Sequence, residues 1–143
     1  MALRKLQNKM RKLSPWVYVL HTGGCNGCDI EIPCIFTPRY CVERFGIKLV
    51  SSPRFADVLL ITGPVCTQAV PFALRVYNQV PDPKVVVSIG SCASTGGVYK
   101  VEEGASNYAV AGPSPNIFPV DVFVPGCPPK PEAIIQGILL AIS

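Results

Sequence analysis

The sequence predicts one α/β domain on a doubly wound parallel sheet of about five strands, and three observations carry that expectation. Five short apolar runs bounded by turn residues recur along the chain, mostly rich in β-branched side chains and without polar alternates. That is the pattern of strands covered on both faces. Stretches of helical character fall between the runs, and alternating strands and helices build parallel sheets. The chain has 143 residues, 49% hydrophobic and 15% charged, enough for one core and too apolar for a disordered chain.

Taken in order, residues 1–15 read as a basic amphipathic segment and residues 16–143 as the domain proper. Leu3, Leu6, Met10 and Leu13 recur at helical spacing among Arg4, Lys5, Lys9, Arg11 and Lys12. A short helix with that composition suits anionic headgroups or the surface of a membrane subunit; a frayed, solvated terminus is the plainer reading. Residues 16–20 form the first strand. Residues 29–46 are helical with a break near Pro33 or Pro38, followed by strands at 47–50 and 58–61. A helix covers 68–78 and the fourth strand covers 85–89. Residues 93–119, rich in Gly, Ser, Pro and Asn, read as a long functional loop with little regular structure. The fifth strand spans 120–124. Residues 132–142 close the chain as a helix that is apolar almost all round, hence expected to be buried, and too short to cross a bilayer.

Lys and Arg total 13 against 9 Asp and Glu, a net charge of +4. Five of the cations lie in the first twelve residues, so the remaining 8 basic and 9 acidic side chains nearly balance. A basic nucleic-acid surface is thereby excluded, because phosphate binding needs cations spread over a face. No apolar run approaches the roughly 18 to 20 residues of a membrane span, and the first residues lack the apolar core of an export signal. A cytosolic location is expected, with the seven cysteines reduced and some of them binding metal.

Cys25 and Cys28 follow the first strand in Gly23-Gly24-Cys25-Asn26-Gly27-Cys28, Cys92 follows the fourth in Gly90-Ser91-Cys92, and Cys127 follows the fifth in Pro125-Gly126-Cys127-Pro128. All four stand beyond carboxyl ends of strands, the edge where open parallel sheets place ligands. Neighbouring glycines let backbone amides approach inorganic sulfide and donate hydrogen bonds to it. Four such thiolates suit a 4Fe-4S cluster. A thioredoxin-type CxxC pair is an alternative, but it leaves Cys92 and Cys127 unexplained. A zinc site is another, although zinc ribbons normally present two local CxxC knuckles. Cys34, Cys41 and Cys66 read as buried structural cysteines, with Cys66 near enough to lie beside the cluster without holding it. No Walker-type or dinucleotide-type glycine loop is present.

Four segments together resemble one family: Cys25 to Glu31, Ile61 to Val65, Gly90 to Gly97 and Val124 to Glu132. They are similar to the small subunit of energy-converting, membrane-bound nickel-iron hydrogenases, which is homologous to the cluster-bearing 20 kDa-type subunit of respiratory NADH:quinone oxidoreductase. The resemblance implies a flavodoxin-like fold holding one 4Fe-4S cluster on Cys25, Cys28, Cys92 and Cys127. It further implies a large catalytic subunit of nickel-iron hydrogenase type at the cluster edge, a ferredoxin-like subunit carrying further clusters, membrane subunits, and a peripheral place on the cytoplasmic side of the cell membrane. Electrons would pass through this chain, with ion translocation coupled to their flow and no bond-making chemistry within it. The respiratory branch has adjacent cysteines where this chain has Cys25-x-x-Cys28, which favours the hydrogenase-like branch. Reduction of sulfur compounds or quinone by the large subunit is the alternative. Glu31 matches a glutamate of the family motif and stands either at the partner interface or as a helix-start carboxylate favoured by the dipole. His21, the sole histidine, reads as a satisfied strand-end residue rather than a proton-coupled neighbour of the cluster.

Overall fold

A computed structural model describes residues 13–100 and 109–143. Residues 1–12 of the amphipathic segment expected over residues 1–15, and residues 101–108 of the long loop, lie outside the described residues. Five parallel strands form the main sheet: β1 (Trp16–His21), β2 (Lys48–Leu49), β3 (Val58–Thr62), β5 (Val85–Ile89) and β7 (Val122–Val124). Their order is β2-β1-β3-β5-β7, the order of flavodoxin-like sheets, which reverses direction between β1 and β3. Pairing is in register from Val17 opposite Val58 to His21 opposite Thr62, and from Val58 opposite Val85 to Thr62 opposite Ile89.

The apolar runs lack polar alternates because both faces are covered. Val58 and Leu60 point into one core with Val17, Val87 and Ile89, beneath α1 (Gly27–Cys34) and α4 (Pro131–Ile142), which contribute Ile32, Ile134 and Ile138. Leu59 and Ile61 point the other way with Leu20 and Val86, beneath α2 (Val70–Gln79), which contributes Ala73 and Val76, and beside Phe118. All five residues of the central strand β3 are buried.

Three expectations need correction. The helix expected over 29–46 stops at Cys34; a series of turns follows, then a 3₁₀ turn at Val42–Phe45. Pro33 is accommodated in the last turn of α1, whereas Thr37 precedes a proline, which disfavours helical backbone, and Cys41 is left-handed at φ 46°. Residues 93–119 are more regular than expected. A short helix α3 (Ser91–Thr95) opens the region, and β6 (Val110–Gly112) pairs antiparallel with β4 (Val65–Cys66) in a separate two-stranded sheet. The closing helix is not fully buried: Ile134, Gly137 and Ile138 face the sheet while Leu140 is exposed.

Candidate functional site

The four cysteines converge on the carboxyl edge of the sheet. Cys25 sits in the loop after β1, and Cys28 in the first turn of α1 behind the left-handed Asn26 (φ 65°). Cys92 lies in α3, directly after β5, and Cys127 in the loop between β7 and α4. Burial pushes the Cys28 thiol up to about 11, with further upward contributions from Asp29, Cys25, Cys92 and Cys127. Burial also raises Cys92, as do Cys127 and Cys25, while a backbone hydrogen bond from Val98 opposes them. Thiols from three separate loops therefore lie within electrostatic reach of one another.

Backbone approaches the thiols closely where the sequence supplies glycine. A Cβ on Gly90, whose φ is +87°, would stand 2.6 Å from Cys28 Sγ, and one on Gly97 would stand 3.2 Å from Cys92 Sγ. Only glycine leaves room there. The loops are locked to one another from behind. Buried Thr22 donates through Oγ1 to the Thr62 and Gly63 carbonyls at 2.9 and 3.1 Å, and the Cys66 N–H donates to the Thr22 carbonyl at 3.0 Å. The Ser91 N–H donates to the Gly126 carbonyl at 2.8 Å, which joins the Cys92 helix to the Cys127 loop. Beneath α3, Ser114 Oγ lies 3.0 Å from Ser88 Oγ and 2.9 Å from the Ala93 carbonyl, while Ser94 Oγ reaches the Gly90 carbonyl at 2.9 Å. Sequence reading passed over these hydroxyls, whose only trace is the frequency of Ser in residues 88–94.

Placement of the remaining candidates is mixed. Cys66 is half-buried and meets the Cys25 loop, since a Cβ on Gly23 would collide with Cys66 Sγ. Cys34 is half-buried, whereas Cys41 is exposed and so is not the buried apolar residue expected. Neither is among the groups that perturb Cys28 or Cys92. His21 Nδ1 stands 2.8 Å from Asp29 Oδ1, with the carboxylate much the more buried of the two. That oxygen has no other hydrogen-bond partner, so it is satisfied when Nδ1 carries the proton. Glu31 is half-buried on α1; desolvation raises the Tyr40 hydroxyl most, Glu132 adds to it, and the charge of Glu31 contributes least.

The donor set suits a group bound by soft thiolates. Among the described residues no group of three His, Cys, Asp or Glu side chains is arranged to hold a metal ion. Glycines that bring backbone up to the sulfurs are the accompaniment an iron-sulfur cluster needs.

Comparison with known proteins shows the family. Residues 25–141 match the family described as NADH ubiquinone oxidoreductase, 20 Kd subunit. A probable membrane-bound hydrogenase subunit of Pyrococcus furiosus is 55% identical over 130 residues, covering 91% of this chain and 75% of that protein. Formate hydrogenlyase subunit 7 of Escherichia coli is 46% identical over 135 residues, covering 94% of this chain and 51% of that longer protein. Among solved structures, a chain of the membrane-bound sulfane sulfur reductase, an archaeal respiratory membrane complex, is 40% identical, with a TM-score of 0.78 over 96% of this chain and 73% of that one.

Proposed function

The chain belongs to the NADH ubiquinone oxidoreductase 20 kDa subunit family, and on that premise we propose that it is the electron-relay small subunit of a membrane-bound hydrogenase-type complex. It is an oxidoreductase subunit without a catalytic centre of its own. Cys25, Cys28, Cys92 and Cys127 would hold one 4Fe-4S cluster, which when bound supplies one-electron transfer. The observation that carries this reading is the convergence of those four cysteines on one edge of the sheet, where Cys25, Cys92 and Cys127 all lie close enough to act on Cys28.

The protein's own residues hold and shield. Thr22, Ser91 and Ser114 fix the loops so that the thiols are positioned before anything binds, which lowers the ordering cost of binding. Gly90 and Gly97 admit backbone where a side chain would block the site. Ile32 and Ile89, buried in the core below, keep water from the inner side. Exposed Cys25 and Cys127 present the outer side to a partner, here assigned to a large subunit of nickel-iron hydrogenase type, with a ferredoxin-like subunit as the second electron partner. Among the described residues no helix is long and apolar enough to cross a membrane, in keeping with a peripheral subunit, here assigned to the cytoplasmic side, beside membrane subunits that couple electron flow to ion translocation. The likeness to a sulfane sulfur reductase chain favours one second reading, the same relay serving a large subunit that reduces sulfur compounds. The large subunit's sequence decides between them, through the presence or loss of the cysteine pairs that bind nickel and iron.

Replacing Cys25, Cys28, Cys92 or Cys127 by Ser puts a hard hydroxyl where a soft thiolate is needed. Each change is expected to abolish or convert the cluster in iron and sulfide analysis and in EPR of the reduced protein. Cys34→Ser, Cys41→Ser and Cys66→Ser are expected to leave iron unchanged. A colourless protein, or an intact 4Fe-4S signal in Cys92→Ser, overturns the assignment.

A further inference from the structure

β1 is fully paired on one side and only half paired on the other. β2 is two residues long and pairs with β1 only at Trp16 and Val17, whereas β3 pairs with β1 from Val17 through His21. The alternation of backbone groups fixes which ones are left over. The Trp16 carbonyl accepts from the Asp57 N–H at 2.8 Å and the Thr22 N–H donates to the Thr62 carbonyl at 3.1 Å, so the even-numbered residues face β3. The Val17 carbonyl accepts from the Val50 N–H at 2.9 Å on the opposite side, and Val19 and His21 face that side too. Past Val50 the chain turns away toward the 3₁₀ turn at Pro53–Phe55. Among the described residues none pairs with the Val19 and His21 backbone there.

A groove of about 210 Å³ lies along this open edge. Its walls are largely apolar, built from Val19 of β1, Ile32 and Pro33 of α1 and Leu49 at the end of β2. Leu49 is 49% exposed. No lysine or arginine lines the groove, and its one carboxylate, Asp29, is met by His21 Nδ1 at 2.8 Å. The edge therefore offers two residues' worth of unpaired N–H and C=O groups beside an apolar wall, with no free charge. Peptide groups spaced along a strand in that way are met by another strand.

We propose that this edge takes an extended apolar segment of a partner subunit, which adds a strand to the sheet at Val19 and His21, where β2 stops. Strand addition combines main-chain hydrogen bonds with pockets for alternate side chains, and both are present. Between Tyr18 and His21, at about 3.3 Å per residue, there is length for roughly three or four residues. Side chains of the added segment that face α1 meet Ile32 and Pro33, which suits apolar, β-branched residues. Nothing in the groove answers a phosphate, and an acyl chain would leave the peptide groups unpaired. The open edge also continues into the loop of Cys25, on the side where exposed Cys25 and Cys127 face a partner. The proposal rests on the chain being a subunit of a complex, and not on the cluster.

The purified complex and the full chain alone, with its bound iron, are compared by amide hydrogen exchange read residue by residue. Val19 and His21 are expected to exchange on the order of a hundredfold more slowly in the complex, while Leu20, which faces β3 in both, changes little. A benzophenone amino acid in place of Leu49 is expected, on illumination of the complex, to join an apolar stretch of a partner subunit. Leu49→Arg puts a charge in the wall of the groove and is expected to lower recovery of that partner about tenfold with iron content unchanged. Equal exchange of Val19 and His21 in the complex and the free chain overturns the proposal, whether both are fast or both slow. So does a crosslink confined to lipid or to a second copy of this chain, the lack of any crosslink to a partner, or full recovery of the partner with Leu49→Arg. Iron and sulfide analysis reads the cluster separately. An iron-free chain with a protected edge overturns the cluster assignment alone, and an iron-loaded chain with an unprotected edge overturns the added strand alone.

Discussion

Gly90→Ala tests the site at its tightest point. Gly90 has φ 87° and ψ 159°, a region that side-chain-bearing residues enter at a cost of about 1–3 kcal/mol. Its backbone has little room to relax, because its N–H donates to the Val124 carbonyl at 2.8 Å and its carbonyl accepts from Ser94 Oγ at 2.9 Å. The new methyl group would stand 2.6 Å from Cys28 Sγ, about 0.9 Å short of an ordinary contact near 3.5 Å. The thiol must therefore move by nearly that distance, which ruins its position relative to Cys92 and Cys127. Expected are a several-fold loss of iron and sulfide per chain and, from backbone strain of about 2 kcal/mol, a melting midpoint lower by about 4–8 °C. Gly46→Ala is the matched control. It places a Cβ against the Leu13 carbonyl at a φ of +80°, at the far end of the sheet, and is expected to lower the midpoint while keeping iron. Wild-type iron and midpoint in Gly90→Ala would refute the close approach. Equal iron loss in both variants would show that general instability, and not the thiol's displacement, governs binding.

Three further outcomes are expected. Ser114→Ala removes a fully buried hydroxyl that bonds the Ala93 carbonyl, and leaves Ser88 with Ser94 as its side-chain partner, a loss of about 1–3 kcal/mol in urea unfolding; an unchanged midpoint would show the hydroxyl pair to be dispensable. In the cluster-free, reduced chain, Cys28 is raised from 9.0 to about 11, so the native state keeps a proton that the unfolded state releases. The stability it confers is complete below about 9 and lost as pH rises toward about 11, and urea midpoints across that window should fall more steeply for the wild type than for Cys28→Ser. Deleting residues 1–13 is expected to leave iron content unchanged and to weaken salt-sensitive attachment to membranes, measured by co-purification of membrane subunits at low and high salt.

The strands were legible in the sequence because each is a short β-branched run that must be apolar on both faces, and such runs tolerate little ambiguity. Once a parallel sheet is inferred, its carboxyl edge is fixed, so the positions of Cys25, Cys28, Cys92 and Cys127 after strands already point to a shared site. Other features were hidden for identifiable reasons. The pairing of Val65–Cys66 with Val110–Gly112 joins segments of two and three residues, too short for any periodicity to register. The 3₁₀ turn at Val42–Phe45 starts from a left-handed Cys41, a conformation that cysteine identity does not announce. The exposed flank of α4 breaks the rule that an all-apolar helix is buried, because α4 packs on β5 and β7 with one face and leaves a stripe through Glu132, Gln136 and Leu140 exposed. Ser114 holds Ser88 and Ala93 across more than twenty residues of chain, and no local pattern encodes such a contact.

Regularity and strain are divided within the fold. The sheet core is ordinary strand packing, with β3 wholly buried, and positive-φ glycines gather at its carboxyl edge in Gly23, Gly63, Gly90, Gly96, Gly97 and Gly126. Each of these costs conformational entropy on folding, and nothing in the core's own packing calls for them there. They are explained by what the loops must do: Gly63 lets the loop after β3 close on Gly24, Gly90 clears Cys28, and Gly97 clears Cys92. Core substitutions should therefore act on the whole domain, through lost burial, whereas substitutions at the edge glycines should separate cluster retention from folding. The hydrogen bonds from Thr22, Ser91 and Ser114 run from loop to strand or from loop to loop on that same edge. That arrangement ties the loops of Cys25 and Cys127 to the short helices that carry Cys28 and Cys92, so the thiols are positioned by side-chain and backbone hydrogen bonds at the edge as well as by the sheet beneath.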